Sequence, residues 1–388
     1  MTTNAQPAPR SGISTGAVFF AACVGIMLFG VSMIIVGALL PRLRLDSPAE
    51  AASLVTLLPV GILVGSLVFG PVCDRYGYRW LLVGACASVL AGVYGLAAML
   101  PLWAMRLCVL LIGIGGGVLN GETNAIVADI YDGRKRDSML SLLGAFYGIG
   151  AIGIPLLMGL LEQYIHFSAI IAMLATAFAL CVAVCAFIRF PRPLQPQSFP
   201  MGQAVKMLGN RTLLLFGLVL FFESGIEGAT NNWTTTYLAN ATSLSPSVAV
   251  QGLTVMVAAL TVARLCLAWA LRRFRPDRVL LSCFAVLACG FVLLGMARGA
   301  AAVMVAMAMV GVGTAATFPV VLSYVGRQFP ALIGTAFGVA LTISLVGNTL
   351  INVCLGSASQ TMSALPWTMV GCTVAMAAVF MVQRRRLH

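Results

Sequence analysis

Long apolar runs separated by short polar connectors make up most of this chain. Each run approaches or exceeds the ~20 residues that an α-helix needs to cross the hydrocarbon core of a bilayer. The pattern predicts an all-α membrane protein with twelve transmembrane helices. The predicted spans are 15–41, 49–72, 79–100, 102–130, 139–163, 167–189, 212–239, 246–271, 278–297, 301–325, 332–356 and 365–383.

Composition indicates a surface that faces lipid. Only 9% of the 388 residues are charged, whereas a soluble domain carries about 25%. The net charge of +12 comes almost entirely from arginines in short connectors, so it indicates membrane orientation rather than nucleic-acid binding. The eleven cysteines lie almost wholly in apolar runs without a CxxC pair, which favours a packing role over metal or disulfide use.

No phosphate loop, nucleotide motif or catalytic triad is found in the sequence. We therefore expect neither an enzyme nor an ATP-driven pump, and no cofactor.

The basic residues predict the orientation. With the N-terminus inside the cell, the cytoplasmic connectors hold 19 of the 23 lysines and arginines, counting Arg264 at the end of span 8. Positive residues concentrate on the cytoplasmic side of membrane proteins. Because the number of spans is even, both termini are predicted to be cytoplasmic, in a bacterial inner membrane.

The chain divides into two similar halves. The longest connector is rich in proline and polar residues and lies mid-chain, which predicts an N-terminal half (1–189), a linker (190–211) and a C-terminal half (212–388). Arg79 pairs with Arg278 at an offset of 199, and IGIG at 112–115 pairs with VGVG at 310–313 at an offset of 198. Two segments that agree on one offset indicate duplication of a six-helix unit, as in transporters built from repeats.

The connector between spans 2 and 3 carries the strongest local motif, GPVCDRYGYR at 70–79. It resembles the signature of the major facilitator superfamily, although Tyr78 stands where that family usually has a basic residue. Glycines permit a tight turn, and an acid can accept hydrogen bonds from a helix N-terminus. The resemblance implies the twelve-helix facilitator fold and a gating role for Gly70, Asp74, Arg75, Gly77 and Arg79. The alternative is an ordinary basic connector that contains one acid.

Further segments resemble the fucose-permease-like sugar:proton symporters. They are LLGAFYGIGAIGIP at 142–155, Gly225-Ile-Glu227 with Trp233 and Tyr237, Ala263-Arg264-Leu265, and Gly311-Val-Gly313 with Phe318-Pro319. The resemblance implies proton-driven sugar transport, although helix packing alone could also require many of these glycines.

The chain departs from these symporters at two acids. Gly37 and Asn120 stand where the symporters have acids in spans 1 and 4, while Asn124 keeps the asparagine of the symporters. Proton coupling would therefore use other carboxylates.

Three glutamates inside the spans are candidates for carrying the proton. Glu223, Glu227 and Asn231 follow one another at intervals of four and share one face of span 7. Two carboxylates one turn apart repel when both are charged, so at least one is expected to hold a proton. Glu227 is preferred because it matches the family position, with Glu223 and Glu122 as further candidates; the alternative is that Glu223 or Glu227 lies near the outer water.

Span 4 presents two different polar faces. Asn120 and Asn124 continue a glycine stripe, while Glu122 lies about 200° round the helix as a helix-contact or relay acid. The asparagine face is preferred for the solute because amides both donate and accept hydrogen bonds. The predicted solute-binding set is Asn120, Asn124, Asn231, Trp233 and Asn348. Trp233 could instead anchor span 7 at the outer membrane surface, and Asn348 could join helices.

These observations predict a secondary transporter that works by alternating access. It is expected to act as a monomer in the bilayer and to move a small polar solute, above all a sugar or sugar derivative, together with protons. The alternative is a drug or metabolite exporter of the same superfamily, whose cavity should be larger and more apolar. A membrane sensor would need a soluble output domain, for which the sequence leaves no room.

The predicted topology is tested with single cysteines in a cysteine-free background. Lys135→Cys and Pro200→Cys should be protected from an impermeant thiol reagent added outside the cell, whereas Ser243→Cys should react. Labelling from outside at position 135 or 200 would contradict the topology.

Overall fold

The computed structural model describes residues 14–39, 43, 48–161, 164–191, 207, 209–241, 246–357 and 364–387. Within these ranges all regular structure is helical. The helices are α1 (Thr15–Leu39), α2 (Pro48–Tyr76), α3 (Tyr78–Ala97), α4 (Leu102–Ile130), α5 (Gly133–Leu161), α6 (Phe167–Cys185), α7 (Arg211–Ala241), α8 (Pro246–Arg273), α9 (Pro276–Met296), α10a (Ala300–Thr314), α10b (Thr317–Gln328), α11 (Ile333–Ser357) and α12 (Leu365–Leu387).

Twelve segments of the described chain are long and apolar enough to cross a membrane, which confirms the predicted all-α membrane fold. Large apolar side chains such as Trp103, Leu180 and Phe187 are exposed on the outside of the bundle. In a polytopic protein this outer surface contacts lipid, and the low content of charged residues follows from it.

Helix α10 is broken into two pieces, whereas the sequence predicted one continuous span. The break lies at Ala315 and Ala316, four and three residues before Pro319. Proline cannot donate to the carbonyl four residues earlier, and its ring clashes with that carbonyl. The hydroxyl of Thr314 also bonds back to the carbonyls of Val310 and Gly311, each at 3.1 Å.

The same packing scheme occurs in both halves of the chain. In the first half α2 and α3 pack on α4, α1 packs on α5, and α6 packs on α3. In the second half the helices six places later repeat these pairs, with α8 and α9 on α10, α7 on α11, and α12 on α9.

The glycines of the repeated IGIG and VGVG segments have matching neighbours. A Cβ on Gly113 would lie 2.6 Å from the Leu58 carbonyl of α2, and one on Gly311 would lie 3.0 Å from the Leu260 nitrogen of α8. Two residues further on, Gly115 faces α3 and Gly313 faces α9. The similarity found in the sequence therefore corresponds to equivalent close approaches of backbones.

Both ends of the described chain lie at one side of the bundle, which we call the terminal face. Phe19 near the start of α1 packs on Tyr131 at the end of α4, with ring centroids 5.9 Å apart. Arg384 near the end of α12 pairs with Asp277 at the start of α9 at 3.5 Å. The opposite side of the bundle is called the distal face. Most of the predicted linker, from 192 to 206, lies outside the described residues.

A matched pair of glycines tests the packing between α9 and α10a. A Cβ on Gly313 would lie 2.6 Å from Leu287 Cα, whereas one on Gly371 in α12 would have no neighbour within 4 Å. Gly313→Ala should therefore destabilise the purified protein by about 1–3 kcal/mol through overpacking. The change is measured as a drop in thermal midpoint in detergent.

The control in this experiment is Gly371→Ala, which should leave the midpoint unchanged or raise it slightly because alanine favours helix. Equal midpoints for the two variants would contradict the close approach at Gly313.

Candidate functional site

One face of α7 carries carboxylates and amides whose exposure changes along the helix. Glu223 is only 2% exposed, Glu227 is half-buried and Asn231 is exposed. The helix starts at the terminal face, where Phe216 stacks on Tyr324 with centroids 5.6 Å apart. The polar face of α7 therefore opens towards the distal face and closes towards the terminal face.

The structure brings Arg264 of α8 and Tyr147 of α5 to the two α7 carboxylates. Arg264 is 5% exposed and interacts electrostatically with Glu223. Tyr147 interacts with Glu227, Arg264 and Glu223, and the guanidinium carbon of Arg264 lies 5.9 Å from the centroid of its ring. The cluster joins two helices of the second half to one helix of the first.

Arg264 corrects the count of basic residues made from the sequence. The count places it in the cytoplasmic connector after span 8. In the structure it is buried within α8, nine residues before the helix ends at Arg273. The asymmetry of the remaining basic residues is unaffected. An arginine surrounded by apolar residues and preceding Arg272 by eight positions was the signal for this role, because charges at membrane depth face a partner or a cavity.

The two polar faces of α4 point in different directions. Gly116 approaches Ser32 of α1 and Gly113 approaches α2. Asn120 is half-buried and lies one turn beyond Gly116. Asn124 is 3% exposed and donates from Nδ2 to the Asn120 carbonyl at 2.7 Å. The predicted asparagine face is therefore directed towards α1 and α2.

Glu122 lies on the other side of α4, inside the first half. It is completely buried, with the backbone of Leu82 in α3 close to its carboxyl group. Neither of its oxygens has a hydrogen bond of normal geometry among the described groups. Its electrostatic neighbours include Cys86 of α3 and Cys73 of α2, so the structure places it apart from the α7 carboxylates.

An amide network fastens α7 to α11. Asn352 Oδ1 accepts hydrogen bonds from Trp233 Nε1 and Asn232 Nδ2, both at 3.0 Å. Asn352 in turn donates to Oδ1 of Asn348 at 2.7 Å. Trp233 and Asn348, both predicted to contact solute, are thus bonded within the protein, and Asn232 and Asn352 are network members absent from the predicted set.

The motif at 70–79 forms the turn between α2 and α3 and a contact between the halves. Gly77 has φ +80°, a conformation that suits glycine. A Cβ on Gly70 would lie 2.7 Å from the Gly334 carbonyl at the start of α11. Arg75 and Arg79 lie over the neighbouring rings of Tyr76 and Trp80, at 5.2 and 4.9 Å from the centroids.

Asp74 caps the N-terminus of α11. Its carboxylate accepts hydrogen bonds from the backbone nitrogens of Gly334 at 3.0 Å and Thr335 at 2.7 Å, and from the Thr335 hydroxyl. A negative charge is stabilised there because the first N–H groups of a helix lack intrahelical partners. The helix N-terminus named in the sequence analysis as a possible partner for this acid is thus the start of α11.

A second contact between the halves is ionic. Arg327 of α10b pairs with Asp137 of α5 at 2.6 Å and also donates to the Gly133 carbonyl at 3.1 Å. Tyr324, beneath the same guanidinium, donates to Asp277, which pairs with Arg384. A chain of polar contacts thus runs across the terminal face from α5 to α12.

The side chains of this site can exchange protons and form hydrogen bonds. Among the described residues no group of three or more His, Cys, Asp or Glu side chains could hold an ion. Carboxylates, a guanidinium and amides between two packed halves instead suit proton exchange and hydrogen bonding.

Comparison with known proteins gives one family across most of the chain. The model of the Major Facilitator Superfamily matches residues 18–352. A putative metabolite transport protein of Haemophilus influenzae is 30% identical over 37% of this chain and 36% of its own length. The class C tetracycline resistance protein of Escherichia coli is 25% identical over 77% of this chain and 78% of its own length. The chain thus spans about a third of the first of these relatives.

Among solved structures, the fucose:proton symporter FucP of E. coli superposes with a TM-score of 0.78 at 16% identity. The match covers 95% of this chain and 98% of that one. The same transporter in its outward conformation gives an equal TM-score. At this identity the likeness concerns the fold.

The contact of Asp74 with α11 is tested by removing its charge. Asp74→Asn should weaken the closed terminal face by about 1–2 kcal/mol, because charge-assisted hydrogen bonds to the helix end are lost. Ser66, fully buried on α2 beside Gly338 of α11, provides a reporter as Ser66→Cys in a cysteine-free background. Its rate of thiol labelling should rise about tenfold in the variant, as expected for ~1.4 kcal/mol.

Asp132→Asn is the control for this experiment, because the Asp132 side chain is 95% exposed and its ion pair with Arg136 lies within the first half, so the change removes no contact between the halves. An unchanged labelling rate in Asp74→Asn would show that the cap does not hold the face closed.

Proposed function

This chain belongs to the Major Facilitator Superfamily, and we propose that it carries a small polar solute of the sugar class across a membrane by proton symport. It is a multi-pass membrane transporter of twelve helices. The solute, the proton and the direction of transport are the proposed part.

The observation that carries the proposal is the pair of α7 carboxylates at the contact between the halves. Glu223 is buried with one oxygen lacking a hydrogen bond among the described groups, and Glu227 is half-buried one turn closer to the distal face. Ionised carboxylates at membrane depth are costly unless they take up a proton or find a partner. Glu227 is the preferred proton carrier because it is the more accessible of the two.

The neutral amides are proposed to hold the solute. Asn120 and Asn124 supply hydrogen-bonding groups from α4, and Asn231 supplies them from the α7 face that carries the carboxylates. Trp233 would present its ring to the solute, because its N–H already donates a hydrogen bond to Asn352. Asn348 would act through the network that fixes α7 against α11. Such a set suits a ligand with many hydroxyls.

The contacts at the terminal face support alternating access. Asp74 with α11 and Asp137 with Arg327 close this face between the halves, while the polar face of α7 opens the other way. Breaking the terminal contacts and closing the distal side would expose the same groups to the other compartment. Gly70, Asp74, Arg75, Gly77 and Arg79 are proposed as the gating segment of this movement.

The terminal face is proposed to be cytoplasmic, in a bacterial inner membrane. Arg75, Arg134, Lys135, Arg272 and Arg273 lie in or beside the turns at this face, which fits the enrichment of positive residues on the cytoplasmic side. In that orientation the polar face of α7 opens to the outside.

The proton role of Glu227 is tested in proteoliposomes with an imposed pH gradient and a panel of labelled sugars and sugar derivatives. Glu227→Gln should abolish uphill, pH-driven accumulation while preserving part of the solute exchange at equilibrium. Exchange requires no net release of a proton, whereas accumulation does.

Asp132→Asn provides the matched control and should accumulate solute normally, because its side chain lies in water. Accumulation by Glu227→Gln at the normal level would exclude Glu227 as the carrier and direct attention to Glu223 or Glu122.

A drug or metabolite exporter is the second candidate. The match to the tetracycline resistance protein over 77% of this chain favours it. The same proteoliposomes distinguish the two functions, since an exporter moves an apolar drug against the proton flux and shows no counterflow with any sugar in the panel.

A further inference from the structure

Arg264 joins the two halves of the bundle through three residues of α5. Its backbone carbonyl accepts a hydrogen bond from the Ser141 hydroxyl at 2.7 Å. Its guanidinium donates to the Gly144 carbonyl at 3.1 Å and lies over the ring of Tyr147. Ser141, Gly144 and Tyr147 are three residues apart and therefore line one face of α5.

The same guanidinium has carboxylates on its own half. Glu223 of α7 interacts with Arg264, and Glu227 interacts with Glu223 and with Tyr147. Arg264 Nε and one Glu223 oxygen are both buried without a hydrogen-bond partner among the described groups. A buried donor and a buried acceptor that are both unsatisfied can lower their free energy by moving together.

We propose that Arg264 is a positioning residue that couples the charge on the α7 carboxylates to the closure of the terminal face. When the carboxylates are neutral, the guanidinium remains with the Gly144 carbonyl and the Tyr147 ring, and it holds α5 against α8. When they are ionised, they compete for the guanidinium and weaken this hold. The inference rests on the proposed function in one respect, that the charge on the carboxylates changes because they bind and release a proton.

Ionised carboxylates should open the terminal face rather than close it, because they are stronger acceptors for the guanidinium than the Gly144 carbonyl is. A hydrogen bond between a guanidinium and a carboxylate has charge on both partners and is stronger than one to a neutral carbonyl. Among the described residues, the charged and titratable groups that interact with Arg264 are Tyr147 from α5 and Glu223 from α7, and Glu227 interacts with both of these. Helix α10a, which also packs on α8, carries no charged residue.

The coupling is measured as a distance across the terminal face, which requires no transport. Spin labels at Lys135→Cys and Arg273→Cys, both exposed and on opposite halves, report the open and closed populations in nanodiscs. Replacing Glu223 and Glu227 together by glutamine should increase the ratio of closed to open about tenfold, the size expected for one charge-assisted hydrogen bond.

The decisive comparison is the same double change in an Arg264→Gln background. Without the guanidinium, the glutamines should no longer shift the populations, and Arg264→Gln alone should open the terminal face. Arg264→Lys keeps the charge and should restore part of the response. Arg278→Gln removes an exposed arginine at the start of α9 and should have no effect.

Two results would overturn the proposal. The first is a shift of the same size with and without Arg264, and the second is opening rather than closing when both carboxylates are neutralised. The proposed symport fails independently, if the unchanged protein accumulates no sugar of the panel when a pH gradient is imposed. If the terminal face responds through Arg264 in a protein that shows no proton-driven accumulation, this inference stands and the proposed function is rejected.

Discussion

Polar groups inside a membrane bundle have to be satisfied by the protein, because the bilayer core supplies no water to pair with them. In this chain several charged side chains meet the requirement through contacts from one half to the other. Asp74 accepts hydrogen bonds from N–H groups of α11, and Asp137 forms an ion pair with Arg327. Arg264 donates a hydrogen bond to a carbonyl of α5. The hydrogen-bonding needs of the halves therefore hold the terminal face together.

This arrangement places the contacts that close the terminal face next to the carboxylates of α7. The contacts between α5 and α8 run from Ser138 with the Ala268 carbonyl, through Ser141, to the guanidinium of Arg264. The α7 carboxylates begin where these contacts end. A change in charge at the carboxylates therefore acts on the last of these hydrogen bonds, without a long path through the protein.

The sequence predicted the fold well because its signals are local. Span length, glycine spacing and the basic connectors depend on residues close together in the chain, and the twelve helices and the turn at Gly77 follow from them. The break in α10 needed only the position of Pro319. Pairings between distant helices could not be predicted in this way. Neither the attachment of Trp233 to Asn352 nor the approach of Arg264 to Glu223 leaves a trace in local spacing.

The cap formed by Asp74 has a consequence for the way such a gate evolves. Two of its three hydrogen-bond donors are backbone amides, which every residue except proline possesses. Changes at 335 to any residue but proline therefore remove at most the hydroxyl, whereas position 334 is restricted to glycine, because a Cβ there would lie 2.7 Å from Asp74 Oδ1. In an alignment of descendants Asp74 and Gly334 would both stay constant, so correlated-mutation methods would find no covarying pair and would overlook the contact.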